Sequence, residues 1–313
     1  MTLLRVARTE PAALGIHLFE FRDPEGGKLV PFTAGAHVVV TSPNGSQRKY
    51  SLCNAPHEDD RYVIAVKRDP AGRGGSVDLV DRARAGDLLD VSEPRNAFEL
   101  EPRAPGYVFI AGGIGITPII AMARHACSAG KRFHLYYCTR SPEVTAFVTE
   151  LRGAQFAGKV TIHHDHGDPQ RAFDLWPLLE RPSRDHVYCC GPRSMLESVR
   201  DMTGHWPVSS IHFESFLDAG AAALPGDQAF TVVLGKSGAR IEVPPGVSIL
   251  EAMRAGGFDA PSSCESGTCG TCKTRLVAGM ADHRDLVLAE HEKPDHIMLC
   301  VSRALTPEIA IDR

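Results

Sequence analysis

The chain has 313 residues, 43% of them hydrophobic and 23% charged, and a net charge of −4. That composition is ordinary for a globular protein of about two or three domains, and the slightly acidic balance excludes the basic footprint of a nucleic-acid binder. The N-terminus lacks a signal-peptide core. The most apolar stretch, 107–123, is shorter than the ~20 residues of a membrane span and is interrupted by glycine and proline, so a cytoplasmic protein without membrane contact is expected.

Residues 1–102 carry short β-like runs at 16–21, 37–41, 50–53, 62–67 and 88–91, separated by turn residues such as Ser42-Pro43-Asn44-Gly45. Strands at this spacing predict an antiparallel β-barrel. Arg48-Lys49-Tyr50-Ser51 ends one of them. The planar fork of Arg48 suits a phosphate, Tyr50 faces away from its neighbours and suits a flat ring, and Ser51 offers a hydroxyl to a ring nitrogen. Gly72-Arg73-Gly74-Gly75-Ser76 then leads into a helical run. Consecutive glycines before a helix start turn backbone N–H groups toward an anion.

Over 103–216 the rhythm changes. Apolar strands at 107–111, 133–139, 160–163, 186–190 and 211–213 alternate with helices starting near Pro118, Pro142, Phe173 and Arg193. This predicts an α/β domain with a parallel sheet. Ala111-Gly112-Gly113-Ile114-Gly115-Ile116-Thr117-Pro118 follows the first strand but lacks the third glycine of the dinucleotide fingerprint. Thr117 reads as an N-cap and Pro118 as the first helical residue. Either the glycines admit a diphosphate or a flavin, or the turn is tight for packing alone. Tyr188-Cys189-Cys190-Gly191-Pro192 ends a later strand, where ligands of open α/β sheets bind. His163-His164-Asp165-His166 reads as a polar strand end rather than a metal site, because adjacent strand residues face opposite ways. Core packing is expected for Trp176 and Trp206.

Residues 217–227 have a linker's composition. The last segment, 228–313, shows strands at 230–234 and 240–243 and a helix over 248–255 with Ser248 and Glu251 forming a capping box. Cys264-x4-Cys269-x2-Cys272 follows, with Cys300 28 residues later. This is plant-type 2Fe-2S spacing. A structural zinc site favours two Cys-x2-Cys pairs instead. Three thiolates from one loop require a tight curl, which Gly267 and Gly270 permit. Five further cysteines are left over, consistent with a reducing compartment.

These strings together resemble the phthalate dioxygenase reductase family, which includes vanillate demethylase reductases, over essentially the whole chain. The matching strings include 48–54, 66–69, 72–76, 112–118, 188–192, 212–216 and 262–269. The resemblance implies a flavin barrel over 1–102, an NAD domain over 103–216 and a β-grasp plant-type ferredoxin domain over 228–313. It implies FMN, contacted by Arg48, Tyr50, Ser51, Lys67, Gly74, Gly75, Ser76 and Thr117, with Phe216 near the ring. It implies NADH as donor, lined by Gly113, Gly115, Thr139, Arg140, Cys190, Gly191 and Pro192. Arg140 and Ser141 follow the second strand with no acidic residue read beside them, where a 2′-phosphate fits, so the donor rests on the family. The implied partner is a Rieske-type aromatic-ring oxygenase, phthalate dioxygenase first, served by a monomer. An O-demethylase, a carnitine-type oxygenase or a cytochrome P450 stays open as the client. A hydride brings two electrons and the cluster takes one, so a flavin stands between them and no side chain acts as a general acid or base.

Overall fold

The computed structural model describes residues 1–216, 224 and 226–313, so the expected linker over 217–227 falls largely outside the described residues. The chain divides into two compact units, Met1–His212 and Phe213–Arg313.

The first unit opens with six antiparallel strands, β1 (Thr2–Ala13), β2 (Ile16–Arg22), β3 (His37–Thr41), β4 (Gln47–Ser51), β5 (Tyr62–Lys67) and β6 (Leu88–Val91), in the order β4-β3-β6-β1-β2-β5. The outer strands meet where Leu52 bridges Ile64 and Cys53 N donates to Val63 O at 2.7 Å, so the sheet curls back on itself. Alternate residues, including Phe19, Phe21, Val38 and Val40, fill its inside, as a period of two dictates. Helix α1 (Gly75–Arg82) lies between β5 and β6.

Two strands differ from expectation. The long β1 was not expected at all: its register with β2 shifts between Val6 and Arg8 and between Pro11 and Ala13, and such bulges erase the alternation that marks a strand. Strand β4 starts at Gln47, not residue 50, because pairing from Thr41↔Gln47 to His37↔Ser51 carries the ladder through polar residues.

A second sheet contains β7 (Gly106–Gly112), β8 (Arg132–Thr139), β9 (Val160–His164), β10 (His186–Cys190) and β11 (Ile211–Glu214), ordered β11-β10-β7-β8-β9; β7 to β10 run parallel within the first unit, and the unit boundary falls inside β11. Its helices are α2 (Ile116–Ser128), α3 (Val148–Leu151), α4 (Trp176–Leu179) and α5 (Arg193–Met202). Strand–helix alternation thus yields the expected α/β sheet. Phe109, Ile119, Leu135 and Tyr137 pack in one core with Ile16 and Ala65 of the first sheet and with Ala34, Cys53 and Phe98 of its connecting segments. Cys189 and Cys190 are fully buried.

Five expectations from the sequence are corrected. Thr117 is not an N-cap, and Pro118 is not the first helical residue. Gly113, at φ +54°, folds 113–115 into a 3-10 turn directly off β7, and α2 begins at Ile116 with Gly115 as its cap. Pro118 stays within the first turn, where its missing N–H breaks no helical bond. The helix expected at Pro142 is a 3-10 turn, Pro142–Val144, and the one expected at Phe173 starts at Trp176. Trp176 is 46% exposed, because the single turn of α4 turns Leu179 inward instead; Trp206 is buried and donates to Leu179 O at 2.8 Å.

The second unit has β12 (Phe230–Leu234), β13 (Arg240–Val243), α6 (Ile249–Ala255), β14 (Lys273–Ala278), β15 (Ala281–Asp282), β16 (His296–Met298), β17 (Arg303–Ala304) and β18 (Glu308–Ile311). The main sheet, β13-β12-β18-β14-β16, is mixed: β12 and β18 run parallel and the other pairs antiparallel. One helix on a mixed sheet is the β-grasp arrangement. Helix α6 has its capping box: Glu251 N donates to Ser248 Oγ at 3.1 Å and Ser248 N to Glu251 Oε2 at 2.9 Å.

Beneath the sheet, Arg284 grips Asp227 through two hydrogen bonds of 2.6 and 3.0 Å and reaches Asp282 at 2.5 Å. The Arg284 guanidinium holds the Asp227 carboxyl below the ordinary carboxylate range. A depressed native pKa stabilises the fold above the unfolded value of about 3.9, and that contribution drains away as pH falls through the native value. Asp227→Asn is expected to destabilise this unit by about 1–3 kcal/mol at pH 7, since Arg284 then keeps only Asp282 as its counterion. It should also flatten the acid limb of an unfolding curve followed by circular dichroism; an unchanged acid limb would remove Asp227 from the account.

Candidate functional site

In the second unit the loop between α6 and β14 carries three cysteines, and Cys300 comes in from the turn after β16. Glu265, Gly267 and Gly270 all adopt positive φ, +58°, +75° and +81°. The curl therefore leans on the two glycines and strains one glutamate. A Cβ at Gly267 would lie 2.7 Å from Val301 Cγ2, so that position admits only glycine. The curl aims backbone at sulfur: Ser266 N and Thr268 N each stand 3.4 Å from Cys264 Sγ, and Cys264 N stands 3.5 Å from Cys269 Sγ. The Thr271 hydroxyl lies 3.3 Å from Cys269 Sγ.

The four sulfurs converge. Cys264 is within hydrogen-bonding range of Cys269 and Cys300, and Cys300 of Cys272. The neighbouring Cys269 and Cys300 thiols hold Cys264 far below the ordinary thiol range, with Thr268 and the Ser266 amide adding to them against burial. Among the described residues no three or more His, Cys, Asp or Glu side chains are set around a single metal ion. A binuclear cluster asks for something wider, two thiolates at each iron, and four converging sulfurs within a shell of amide donors fit that group.

In the first unit the two glycine and arginine strings come together. Gly74, at φ +82°, is the N-cap of α1 and no side chain caps the helix, leaving first-turn N–H groups for an anion. A Cβ on Gly75 would meet Arg48 Cγ at 3.1 Å and Ser46 Cβ at 3.3 Å. The Arg48 stem therefore crosses the helix start, while its Nη1 donates to Gln47 O at 2.7 Å. Tyr50 is half-buried against the sheet core, Ser51 is buried and Lys67 is exposed at the end of β5. Ser76 Oγ accepts from Asp69 N at 3.2 Å. Phe216 is 45% exposed and lies in the second unit.

The turn after β7 packs against the turn after β10. A Cβ at Gly115 would lie 2.2 Å from Cys190 O, one at Gly112 2.5 Å from Pro192 Cδ and one at Gly191 2.9 Å from Met195 Sδ. Gly113 has open space where its Cβ would stand. Tight packing thus accounts for Gly115, which lets the two turns touch, whereas Gly113 faces open space. Thr117 Oγ1 donates to Ile114 O at 3.1 Å. Thr139 is buried, and its hydroxyl pairs with Thr145 at 2.7 Å and with His164 at 2.9 Å. Arg140 is exposed beyond β8. His163 Nε2 pairs with Arg171 O at 2.7 Å.

One carboxylate was missed. Glu143 heads the Pro142–Val144 turn just beyond β8, and its carbonyl accepts from Leu14 N at 2.8 Å. A hydrogen bond from the Ser141 side chain, helped by His164 and His166, holds its carboxyl below the ordinary range. An acidic group in this region suits a ribose 2′-hydroxyl. The intervening proline hid it from a reading confined to the two residues after the strand.

Comparison with known proteins agrees with both units. Residues 109–201 match the oxidoreductase NAD-binding domain family and 232–305 the 2Fe-2S iron-sulfur cluster binding domain family. The chain is 55% identical to the phthalate 4,5-dioxygenase oxygenase reductase subunit of Pseudomonas putida, over 98% of this chain and 95% of that protein. It is 52% identical to the phthalate dioxygenase reductase of Burkholderia cepacia, over 99% and 96%. A solved phthalate dioxygenase reductase, described as a modular structure for electron transfer from pyridine nucleotides to 2Fe-2S, superposes with a TM-score of 0.74 at 51% identity, covering 100% of this chain and 98% of that one. An intact type IV self-sufficient cytochrome P450 monooxygenase also matches, with a TM-score of 0.71 at 36% identity, over 99% of this chain and 41% of that one.

Proposed function

The chain belongs to the phthalate dioxygenase reductase family, and from that premise we propose that it draws electrons from NADH through FMN and a 2Fe-2S cluster and delivers them to a Rieske-type aromatic-ring oxygenase. The observation that carries the proposal is the convergence of Cys264, Cys269, Cys272 and Cys300 in a loop lined with amide donors.

Bound flavin supplies the exchange between a two-electron hydride donor and a one-electron acceptor, and the cluster supplies the one-electron exit. The residues of the chain bind and orient. Arg48 and the first-turn amides of α1 hold the flavin phosphate, and the absent Cβ of Gly75 lets them share it. Tyr50 covers the ring, Ser51 and Lys67 donate to its polar edge, and Gly74, Ser76 and Thr117 complete the contact. Gly113 gives the nucleotide diphosphate access, while Gly115, Cys190, Gly191 and Pro192 build the wall behind it. Thr139 and Arg140 face the adenosine side. Glu143 supports NADH over NADPH, because a fixed carboxylate accepts from a 2′-hydroxyl and repels a 2′-phosphate. No disulfide joins any of the nine cysteines, which suits the reducing cytoplasm, and the chain is taken to act as a monomer.

Anaerobic titration with NADH tests the whole scheme. The expected result is loss of flavin colour together with cluster reduction, with FMN released by heat, and much weaker reduction by NADPH. Protein that holds neither iron nor flavin after reconstitution would end the proposal. Arg48→Met is expected to weaken FMN binding by about tenfold or more, from the ~1.5–3 kcal/mol of a charged hydrogen bond, as measured by fluorescence of released flavin. A second client class, a cytochrome P450, is favoured by the similarity to the self-sufficient monooxygenase; coupling of NADH oxidation to each candidate oxygenase separates the two.

A further inference from the structure

Helix α2 leaves the nucleotide turn with Thr117 near its start. Arg124 follows seven residues later, two turns on and on the same face. The Arg124 side chain is 22% exposed and holds Glu150 through two hydrogen bonds, Nε to Oε1 at 2.8 Å and Nη2 to Oε2 at 2.5 Å. Its third arm, Nη1, donates to the carbonyl of Cys53, and the guanidinium lies 5.7 Å from the Phe147 ring centroid. Glu150 and Phe147 belong to the parallel-sheet half of this unit. Cys53 belongs to the antiparallel half, two residues beyond Ser51 on the stretch that carries Arg48 and Tyr50.

The fork therefore joins the flavin-bearing stretch to the helix that opens the nucleotide site. Around it the two halves part in a groove of about 760 Å³, lined by Arg8, Glu20 and Glu58 on one side and by Cys127, Gln155 and Lys159 on the other. Elsewhere the halves meet mainly through apolar contacts such as Ile16, Ala65 and Phe98 against the α2 core, with single hydrogen bonds from Leu14 N to Glu143 O at 2.8 Å and from Tyr188 Oη to Glu99 O at 3.1 Å. Apolar burial is non-directional: it holds the halves together but sets their mutual rotation weakly. A planar fork with three fixed bonds sets direction. The Cys53 thiol is no competing partner, since burial pushes it up to about 12 and keeps it protonated.

We propose that Arg124 is a positioning residue for hydride transfer: with Glu150 it locks the Cys53 carbonyl, and so fixes the flavin-bearing stretch in register with the nicotinamide site. This rests on the flavin and NADH reading above. A register error of about 1 Å costs a rate of the order of 10²-fold without loss of binding, and that split is the signature sought.

Stopped-flow reduction by NADH tests it on reconstituted protein with full flavin and cluster content. Arg124→Met is expected to slow flavin reduction at saturating NADH by about 10- to 100-fold, with the NADH dissociation constant within twofold. Close stacking of reduced flavin on NAD⁺ is expected to give the wild type a long-wavelength charge-transfer absorbance, and the variant should show it weakened, a readout independent of turnover. Reduction of cytochrome c after dithionite treatment should stay at the wild-type rate. Because breaking a half-buried pair can prevent folding, the exchanged pair Arg124→Glu with Glu150→Arg is made alongside. It keeps the ion pair but places an acceptor against the Cys53 carbonyl, and the same slow reduction is expected. A folded variant of either kind that bleaches at the wild-type rate, or one that loses NADH affinity instead of rate, overturns the proposal. Failure of the underlying reading is distinct: the wild type itself would not bleach with NADH.

Discussion

Replacing Cys272 by serine is expected to abolish NADH-driven reduction of cytochrome c while leaving reduction of the flavin by NADH intact. Cys272 is 2% exposed, sits immediately before β14 and reaches Cys300. Serine nearly matches the thiol in size, so the β-grasp unit keeps its packing. What goes is one of two thiolates at one iron, and oxygen is a poor substitute for sulfur there. Changes merely adjacent to metal ligands cost about 10–100-fold, so loss of a ligand is expected to exceed 100-fold. Iron content and the visible spectrum report the lesion; stopped-flow bleaching at the flavin band reports the intact half. A serine variant that exports electrons at full rate would disconnect the four cysteines from the path.

Gly115→Ala carries the second large effect. The added methyl would stand 2.2 Å from Cys190 O, 2.5 Å from the Cys190 carbonyl carbon and 2.8 Å from Gly191 N. These are backbone atoms between two strand ends, and no rotamer change relieves them. Overpacking a rigid site costs about 1–3 kcal/mol or more, and the turn after β7 must move away from the turn after β10 to accept it. The expected outcome is a lower Tm together with an NADH dissociation constant raised at least tenfold. Gly113→Ala makes the contrast. Its methyl meets nothing within 4 Å, and only the positive φ is strained, at about 1 kcal/mol. Similar effects from the two substitutions would show that packing between the turns does not set the site.

The cluster loop and the capping box were legible because their determinants lie within a few residues: Cys264-x4-Cys269-x2-Cys272 and Ser248-x2-Glu251 state their geometry directly. The strands at 37–41, 62–67, 186–190, 230–234 and 240–243 were legible for the same reason, through continuous apolar or alternating runs. Strand β1 was not, because bulges near Arg8 and Pro11 break its period. The start of α2 was misread because Thr117-Pro118 mimics a cap, and only the φ of Gly113 decides otherwise. The role of Gly115 against Cys190, some 75 residues away in the chain, and the reach of Arg124 to Cys53 are matters of tertiary closure. Neither leaves a mark on local sequence. Strands β15, β16 and β17, of two or three residues, lack the length that a sequence pattern needs.

Burial also decides which sulfurs peroxide can attack. Thiolate is the reactive form, and desolvation keeps Cys53 protonated, pushes Cys138 up to about 11 and raises Cys189 as well, while Cys190 is fully covered. A carrier of single electrons working in air meets partially reduced oxygen, so injury should gather at the iron-binding loop and spare the interior of the nucleotide fold. Iodoacetamide footprinting of stripped protein would then mark Cys127, which lines the groove, as a constant background and the four loop cysteines in proportion to maturation defects, not unfolding.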